Sequence, residues 1–293
     1  MSPDDPFVAH RSLLFTVAYE LLGSAADAED VVQETWLRWD GIGAGAQAAV
    51  REPRAYLVRI VTRQALNRMR TLGRRREQYV GEWLPEPLLT APDVAEDVEL
   101  AESVSLAMLT VLQTLTPTER AVFVLREVFD LPFEEIAEAT GKSAAAVRQI
   151  AHRARSHVTS RQPRMQVDRS EQQLVIERFL AAVNNGDLQG LMDVLAPDAV
   201  LIADGGGVVQ AVLQPVVGAK KICNLLRNFP KAVPTGVFEP MLLNGAPGAR
   251  LLLDGQLDTV VGFAFENGRI SQILTVRNPN KLSRLTQETT LSR

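Results

Sequence analysis

The chain has 293 residues, 46% of them hydrophobic and 23% charged, with a formal net charge of −4 and one cysteine. That length suits two or three domains, each large enough for a core of its own. A single thiol excludes an intrachain disulfide and a zinc site of several thiolates; no metal and no cofactor is implied. No apolar run approaches the roughly 20 residues that a membrane span needs, and the acidic start MSPDDPFVAH lacks the basic and apolar regions of a signal peptide. The expectation is a soluble cytoplasmic protein with no membrane partner.

The mild net charge conceals strong segregation. Residues 51–80 carry nine arginines against Glu52 and Glu77, whereas 82–102 carry seven carboxylates and no cation. Taken in order, 7–22 space Leu13, Leu14, Val17, Ala18 and Leu21 as one helix face, stopped by Gly23, and Ser24 opens the next helix. There Ala28, Val31, Val32, Thr35, Trp36 and Trp39 share a largely apolar side, which leaves Asp27, Asp30 and Glu34 along an exposed one. A helix dipole accounts for an acid in the first turn, such as Asp27, but Glu34 lies too deep for it.

GIGAGAQAAV reads as a flexible stretch, after which Pro53 starts a third helix. Its apolar stripe is Leu57, Val58, Val61, Ala65, Met69 and Leu72; Arg59, Arg63, Asn67, Arg70 and Arg74 line the far side. Four guanidiniums and an amide on one face suit phosphate tracking, with the amide available to a base. In GEWLPEPLL, Pro85 and Pro87 favour an extended backbone. Trp83 and Leu84 beside them need an apolar partner, which the core of the first domain offers. The acidic stretch that follows can imitate DNA and lie against an arginine face. Helix resumes near Ala101, and Thr116, Pro117 and Glu119 form an N-terminal signal for TPTERAVFVLREVF.

Residues 131–158 read as a helix-turn-helix. Phe133, Ile136, Ala137 and Thr140 face one way, Gly141 supplies the turn, and Ser143 caps the second helix. In that helix Val147, Ile150, Ala151, Ala154 and Val158 form a stripe opposite Arg148, Gln149 and His152, with Arg153 and Arg155 flanking. No carboxylate occurs between Lys142 and Arg164. A cationic face with amide and guanidinium groups is equipped to read base edges in a major groove.

These segments together, DAEDVVQETWLRW, PRAYLVRIVTRQALNRMR and LTPTERAVFVLREVFDLPFEEIAEATGKSAAAVRQIAHRAR, closely resemble regions two and four of an extracytoplasmic-function sigma factor of bacterial RNA polymerase. The resemblance covers roughly residues 4–158. It implies core RNA polymerase and promoter DNA as partners, with Asp27, Asp30 and Glu34 on the polymerase. Arg59, Arg63, Asn67, Arg70 and Arg74 would meet the −10 element, and Arg148, Gln149, His152, Arg153 and Arg155 the −35 element. Asn67 stands where many relatives are expected to have an acid.

Beyond the connector QPRMQVDRS the pattern changes. Helices are expected at 171–185, 188–195 and 219–228, and strands at 199–203, 236–243, 249–253, 258–265 and 270–276, with turns at NGAPG and ENG. Helices followed by a curved sheet indicate an α+β cone. This part resembles a SnoaL-like domain of the nuclear-transport-factor-two-like superfamily. WLPEP (Trp83, Leu84, Pro85, Glu86, Pro87), DGGG (Asp204, Gly205, Gly206, Gly207) and NPNKL (Asn278, Pro279, Asn280, Lys281, Leu282) resemble hallmarks of the sigma factors that carry such an extension. Val208 and Asn280 depart from the lysine and aspartate expected there. The resemblance implies an extension folded against region two and the linker, regulating in place of a dedicated anti-sigma factor.

The expected fold class is therefore multidomain: two all-α sigma domains, the second with the helix-turn-helix, then an α+β SnoaL-like cone. The expected boundaries are 4–80 for region two, 81–105 for the linker, 106–162 for region four and 168–293 for the cone. The expected function is promoter-directed transcription initiation, tuned by the cone and without enzymatic activity. Two other readings are a free-standing helix-turn-helix regulator with a ligand-sensing domain, and a SnoaL-like isomerase or cyclase fused to a DNA-binding module. The second would need Asp204 or Asp258 as its base, since no histidine or tyrosine follows His157. Fold analogy leaves room for a small-molecule ligand in the cone.

Overall fold

The computed structural model describes residues 5–90, 97–161, 168–285 and 287–293, without the side chains of 74–76. The chain divides into two compact units. Among the described residues, the first holds those up to Glu77 with Val111–Arg161 and Thr290–Arg293; the second holds Gln78–Thr110 and those of Gln162–Thr289.

The first unit is helical throughout. Its helices are α1 (Pro6–Leu22), α2 (Ala25–Gly41), α3 (Gly43–Ala49), α4 (Pro53–Arg76), α7 (Pro117–Phe123), α8 (Phe133–Thr140) and α9 (Ala144–Thr159); a π-helical turn, Val124–Val128, follows α7. Helices α5 (Val98–Val104) and α6 (Leu106–Leu112) precede α7, and the boundary between the units falls within α6.

Local chemistry sets the helix ends. The Asp5 carboxylate accepts from Phe7 N, Gly23 turns left-handed (φ 65°) after α1, and Ser24 then caps α2 through Asp27 N. Thr116 and Glu119 form a reciprocal capping box on α7, and Gly141 and Ser143 separate α8 from α9 as the spacing requires. The expected flexible stretch after α2 is instead the short helix α3: its alanines favour helix, and the Gln47 amide donates to the Trp39 carbonyl at 2.8 Å. Val17, Leu21, Ala28, Val31, Leu57, Val61 and Ala65 close the core between α1, α2 and α4 with no measurable exposure. Each large aliphatic side chain so buried contributes about 1.5–3 kcal/mol.

The second unit contains α10 (Arg169–Asn185), α11 (Leu188–Val194), α12 (Ala219–Leu226), α13 (Phe229–Ala232) and α14 (Pro279–Leu282) around one six-stranded sheet. The strands are β1 (Leu195–Asp204), β2 (Val216–Val217), β3 (Gly236–Leu243), β4 (Ala246–Leu253), β5 (Gln256–Glu266) and β6 (Arg269–Val276), in the order β2-β1-β6-β5-β4-β3. Only the β1–β6 pairing is parallel. Three two-residue hairpins join β3 to β6: Asn244-Gly245, Asp254-Gly255 and Asn267-Gly268, all with positive φ. Asx-Gly is the pair that tolerates this backbone and matches the strand twist. β1 begins four residues earlier than expected and runs through Pro197, where its pairing with β6 shifts register.

β5 is buried along both faces, and its alternation assigns each face a different cover. Val261, Phe263 and Phe265 join the core made with Ile176, Phe179, Val183 and Ile222 of the helices. Val260 and Ala264 join Leu84, Leu106, Ala107, Leu282 and Leu285 on the other side. A β-carbon on Gly262 would lie 2.9 Å from Leu106 Cδ1, so the absent side chain is what admits α6. The apolar partner of Leu84 is thus the cone's sheet, not the first helical domain: the sheet face offers a continuous apolar surface to the extended linker.

Candidate nucleic-acid interface

α9 presents Arg148, Gln149, His152, Arg153 and Arg155 to solvent, while Val147, Ala151, Ala154 and Val158 are buried beneath them. The first four line an open groove of about 410 Å³. Arg148 lies over the Phe133 ring (5.3 Å to the centroid) and bonds Glu134 at 2.8 Å; Arg126 lies over the same ring at 5.0 Å. Arg155 makes a two-pronged contact with Glu127 (3.0 and 2.7 Å), which raises its pKa, chiefly through the hydrogen bond. Region four therefore has a built cationic face whose arginines are oriented by its own acids.

On α4, Asn67 and Arg70 are exposed, and Arg70 Nη1 donates to Asn67 Oδ1 at 2.9 Å. Arg59 and Arg63 point instead at α8: Arg59 Nη1 meets Glu138 Oε2 and Arg63 Nη2 meets the Glu138 carbonyl oxygen, both at 2.7 Å. The side chain of Arg74 lies outside the described residues. So does the central part of the acidic stretch, 91–96, expected to lie against an arginine face; the acids that meet arginine faces here are Glu127, Glu134 and Glu138.

The three acids of α2 are not equivalent. Asp27 accepts from Arg68 Nε at 2.7 Å and is only 16% exposed, so it ties α2 to α4. Asp30 shares the same guanidinium at 2.6 Å yet is 56% exposed. The Asp27 hydrogen bond is the main reason the Arg68 pKa is raised. Glu34 is exposed and accepts from the Gln64 amide at 2.9 Å. Asp30 and Glu34 are the pair available to a partner surface.

The three hallmark motifs meet at Asp204, the last residue of β1, whose carboxylate is fully buried. It accepts from Tyr79 Oη (2.6 Å), Leu84 N (2.9 Å) and Lys281 Nζ (2.6 Å). The Asp204 carbonyl accepts from Arg277 N and Asn278 N, and Asn278 Nδ2 donates to Tyr79 Oη at 2.8 Å. Lys281 also donates to the Leu84 carbonyl and lies 4.1 Å from the Trp83 ring centroid. Pro85, Glu86 and Pro87 are buried beside it, with Glu86 3.9 Å from Arg284.

Burial, then the bond to Asp204, pushes the Tyr79 hydroxyl well above its ordinary pKa, so it remains a donor. The glycines are demanded by space: a β-carbon on Gly206 (φ 63°) would fall 2.2 Å from Asn278 Nδ2, and one on Gly205 2.4 Å from the Val209 carbonyl oxygen. Val208 and Asn280, the two departures, are both exposed; Asn280 contributes its backbone N–H to Asn278 Oδ1.

Sequence profiles agree with this layout: Sigma-70 region 2 matches residues 7–75 and Sigma-70 region 4 matches 105–158. The ECF RNA polymerase sigma factor SigJ of Mycobacterium tuberculosis is 35% identical over 291 residues, covering 94% of this chain and 92% of that protein. The chain belongs to the extracytoplasmic-function (ECF) sigma factors. A second relative from M. tuberculosis, the probable ECF RNA polymerase sigma factor SigI, is 32% identical over 98% of this chain and 99% of its own length. The crystal structure of M. tuberculosis SigJ superposes with a TM-score of 0.77 at 33% identity, covering 95% of this chain and 97% of that one. Sigma factors act with core RNA polymerase at promoter DNA, and this one carries an α+β extension of the expected SnoaL-like architecture.

Several residues of this sigma factor's interfaces escaped the linear reading. Glu134 and Glu138 looked like ordinary first-turn and surface acids of α8, and Tyr79 like the tail of an arginine run. Asn244 was read only as a turn. Fully buried, it accepts from Leu88 N and donates to the Val104 carbonyl, both at 2.9 Å, clamping the linker to the β3–β4 hairpin. No periodicity marks such residues, because their partners are about 140 to 160 positions distant.

Proposed function

We propose that this ECF sigma factor docks on core RNA polymerase through Asp30 and Glu34, on an α2 held in place by Asp27. It reads the −35 element with Arg148, Gln149, His152, Arg153 and Arg155, and the −10 element with the Arg59, Arg63, Asn67, Arg70 and Arg74 face of α4. Its segments are region two (4–80), linker (81–105), region four (106–162) and cone (168–293). The cone tunes initiation by governing the linker between the two promoter-reading modules, in the place a dedicated anti-sigma factor would take, and the protein works in the cytoplasm with the polymerase.

The observation that carries the reading is the buried Asp204 carboxylate, which takes three donors from the linker and α14. A linker bonded in this way transmits the state of the cone to the chain on either side. No ligand and no covalent chemistry are needed. Asp204 is saturated with donors. Asp258 is partly buried, which raises its pKa, but the Arg277 guanidinium and the Thr259 hydroxyl more than offset this and hold it below the usual carboxylate value. Neither acid is placed as a proton acceptor.

Run-off transcription with purified core polymerase tests the reading. The full chain should initiate at its promoter, and Lys281→Met, which cuts the ammonium tie between α14 and the linker, should change the yield several-fold. Equal transcription by both would remove the regulatory role from the cone.

A further inference from the structure

α8 touches both promoter-reading surfaces at once. Glu134 bonds Arg148 of the region-four reading helix at 2.8 Å. Glu138, one helical turn further on, bonds Arg59 of α4 at 2.7 Å, and its carbonyl receives Arg63 at 2.7 Å. That carbonyl belongs to the last turn of α8, where acceptors have no partner within the helix and the dipole is negative. A carboxylate beside an unpaired carbonyl offers arginines what a phosphate offers them. Glu135 joins Glu138, Tyr56 and Arg59 in lining a cleft of about 230 Å³ between α4 and α8. A second contact holds the same two modules: the buried Arg120 of α7 donates to the Leu21 carbonyl at the end of α1, at 2.8 Å.

The geometry is incompatible with simultaneous promoter reading. Carboxylates four residues apart on a helix are separated by about 6 Å of rise. The −35 and −10 positions differ by 25 base pairs, about 85 Å of duplex. We infer that α8 is an intramolecular nucleic-acid mimic: Glu138 and its carbonyl occupy the arginine face of α4, and promoter engagement requires this contact to open. The inference rests on assigning the α4 arginine face to nucleic acid. It names the surface that competes for that face, namely the acidic side of α8. An exposed ion pair is weak and salt-screened, which suits a contact that phosphates displace.

The test uses the full chain. Spin labels at Leu37→Cys on α2 and Ser156→Cys on α9, both exposed positions, report the separation of the two modules, while native Cys223 is buried. Glu138→Gln and Glu138→Arg should move the distance distribution from short to long and tighten binding of a 20-nucleotide single-stranded oligothymidine by about two- to fivefold, the range an exposed pair contributes. Asp40→Asn, an equal change in charge at an exposed site away from α8, controls for net charge. The swapped pair Arg59→Glu/Glu138→Arg should restore the short distance. An unchanged distance distribution in Glu138→Arg, or equal oligothymidine affinity in Glu138→Gln and Asp40→Asn, overturns the inference. Co-purification of the unaltered chain with core polymerase reports separately on the sigma-factor reading.

Discussion

Arg148 combines two requirements that usually conflict: it is exposed enough to meet a base, yet it is pre-aimed by the Phe133 ring and the Glu134 carboxylate. Pre-aiming reduces the rotamer entropy lost on contact. Arg148→Ala should cost about 1–3 kcal/mol of discrimination between cognate and altered −35 sequences; competition binding measures it, and equal loss on every sequence would make Arg148 a phosphate contact. Asp204 is the opposite kind of residue, fully buried and multiply bonded. Asp204→Ala strands the Lys281 ammonium and should lower the stability of the cone unit by about 3–5 kcal/mol, read by denaturant unfolding of the full chain. Asp258 supplies a pH dependence. Its folded pKa lies below its unfolded value, so its contribution is complete above about pH 4 and fades as pH falls through the lower folded value. Arg277→Met should flatten that acid limb, measured as melting temperature against pH.

At the scale of elements, α2 shows how one helix divides its acids between folding and docking. Asp27 is committed to Arg68, whereas Asp30 and Glu34 remain accessible. Reversing Asp30 and Glu34 to lysine should abolish co-purification with core polymerase while leaving the circular dichroism spectrum unchanged; retained co-purification would rule out this face as the dock. Helix ends and hairpins were legible because their determinants are local: Gly23, Ser24, Thr116, Gly141 and the Asn-Gly pairs act within four residues of themselves. Helix α3 was not legible, since glycine content argued for a loop while a side-chain bond from Gln47 to Trp39 decided for helix. The WLPEP segment was legible as extended and in need of an apolar partner. The identity of that partner was not.

For the whole molecule, the division into units departs from the order of the chain. The linker and the start of α6 belong with the cone, and regions two and four share a unit with residues Thr290–Arg293. Those last residues lie on α1, where Ser12 Oγ donates to the Thr290 carbonyl at 2.9 Å, Ser292 N donates to Thr16 Oγ1 at 3.1 Å, and Leu291 is buried. A truncation after Val158 therefore does more than delete a cone: it bares Leu84, Leu106 and Ala107 and strips α1 of its covering tail. Such a fragment should aggregate more readily than the full chain, by light scattering, and its run-off transcription should differ from that of the Lys281→Met chain. Identical behaviour would show that the linker has no need of the sheet.

The sequence by itself determined the helices with their caps, the helix-turn-helix, the segregated arginine and acid faces, the change to an α+β cone and the family, because each is written in neighbouring residues or in a periodicity. Tertiary structure alone decided that Leu84 packs on the cone, that Asp204 gathers Tyr79, Leu84 and Lys281, and that Glu138 meets Arg59 and Arg63. Those pairings join residues about 75 to 125 positions apart. A carboxylate in a sequence carries no mark of which cation it will meet; that choice is made only when packing brings their helices and strands together.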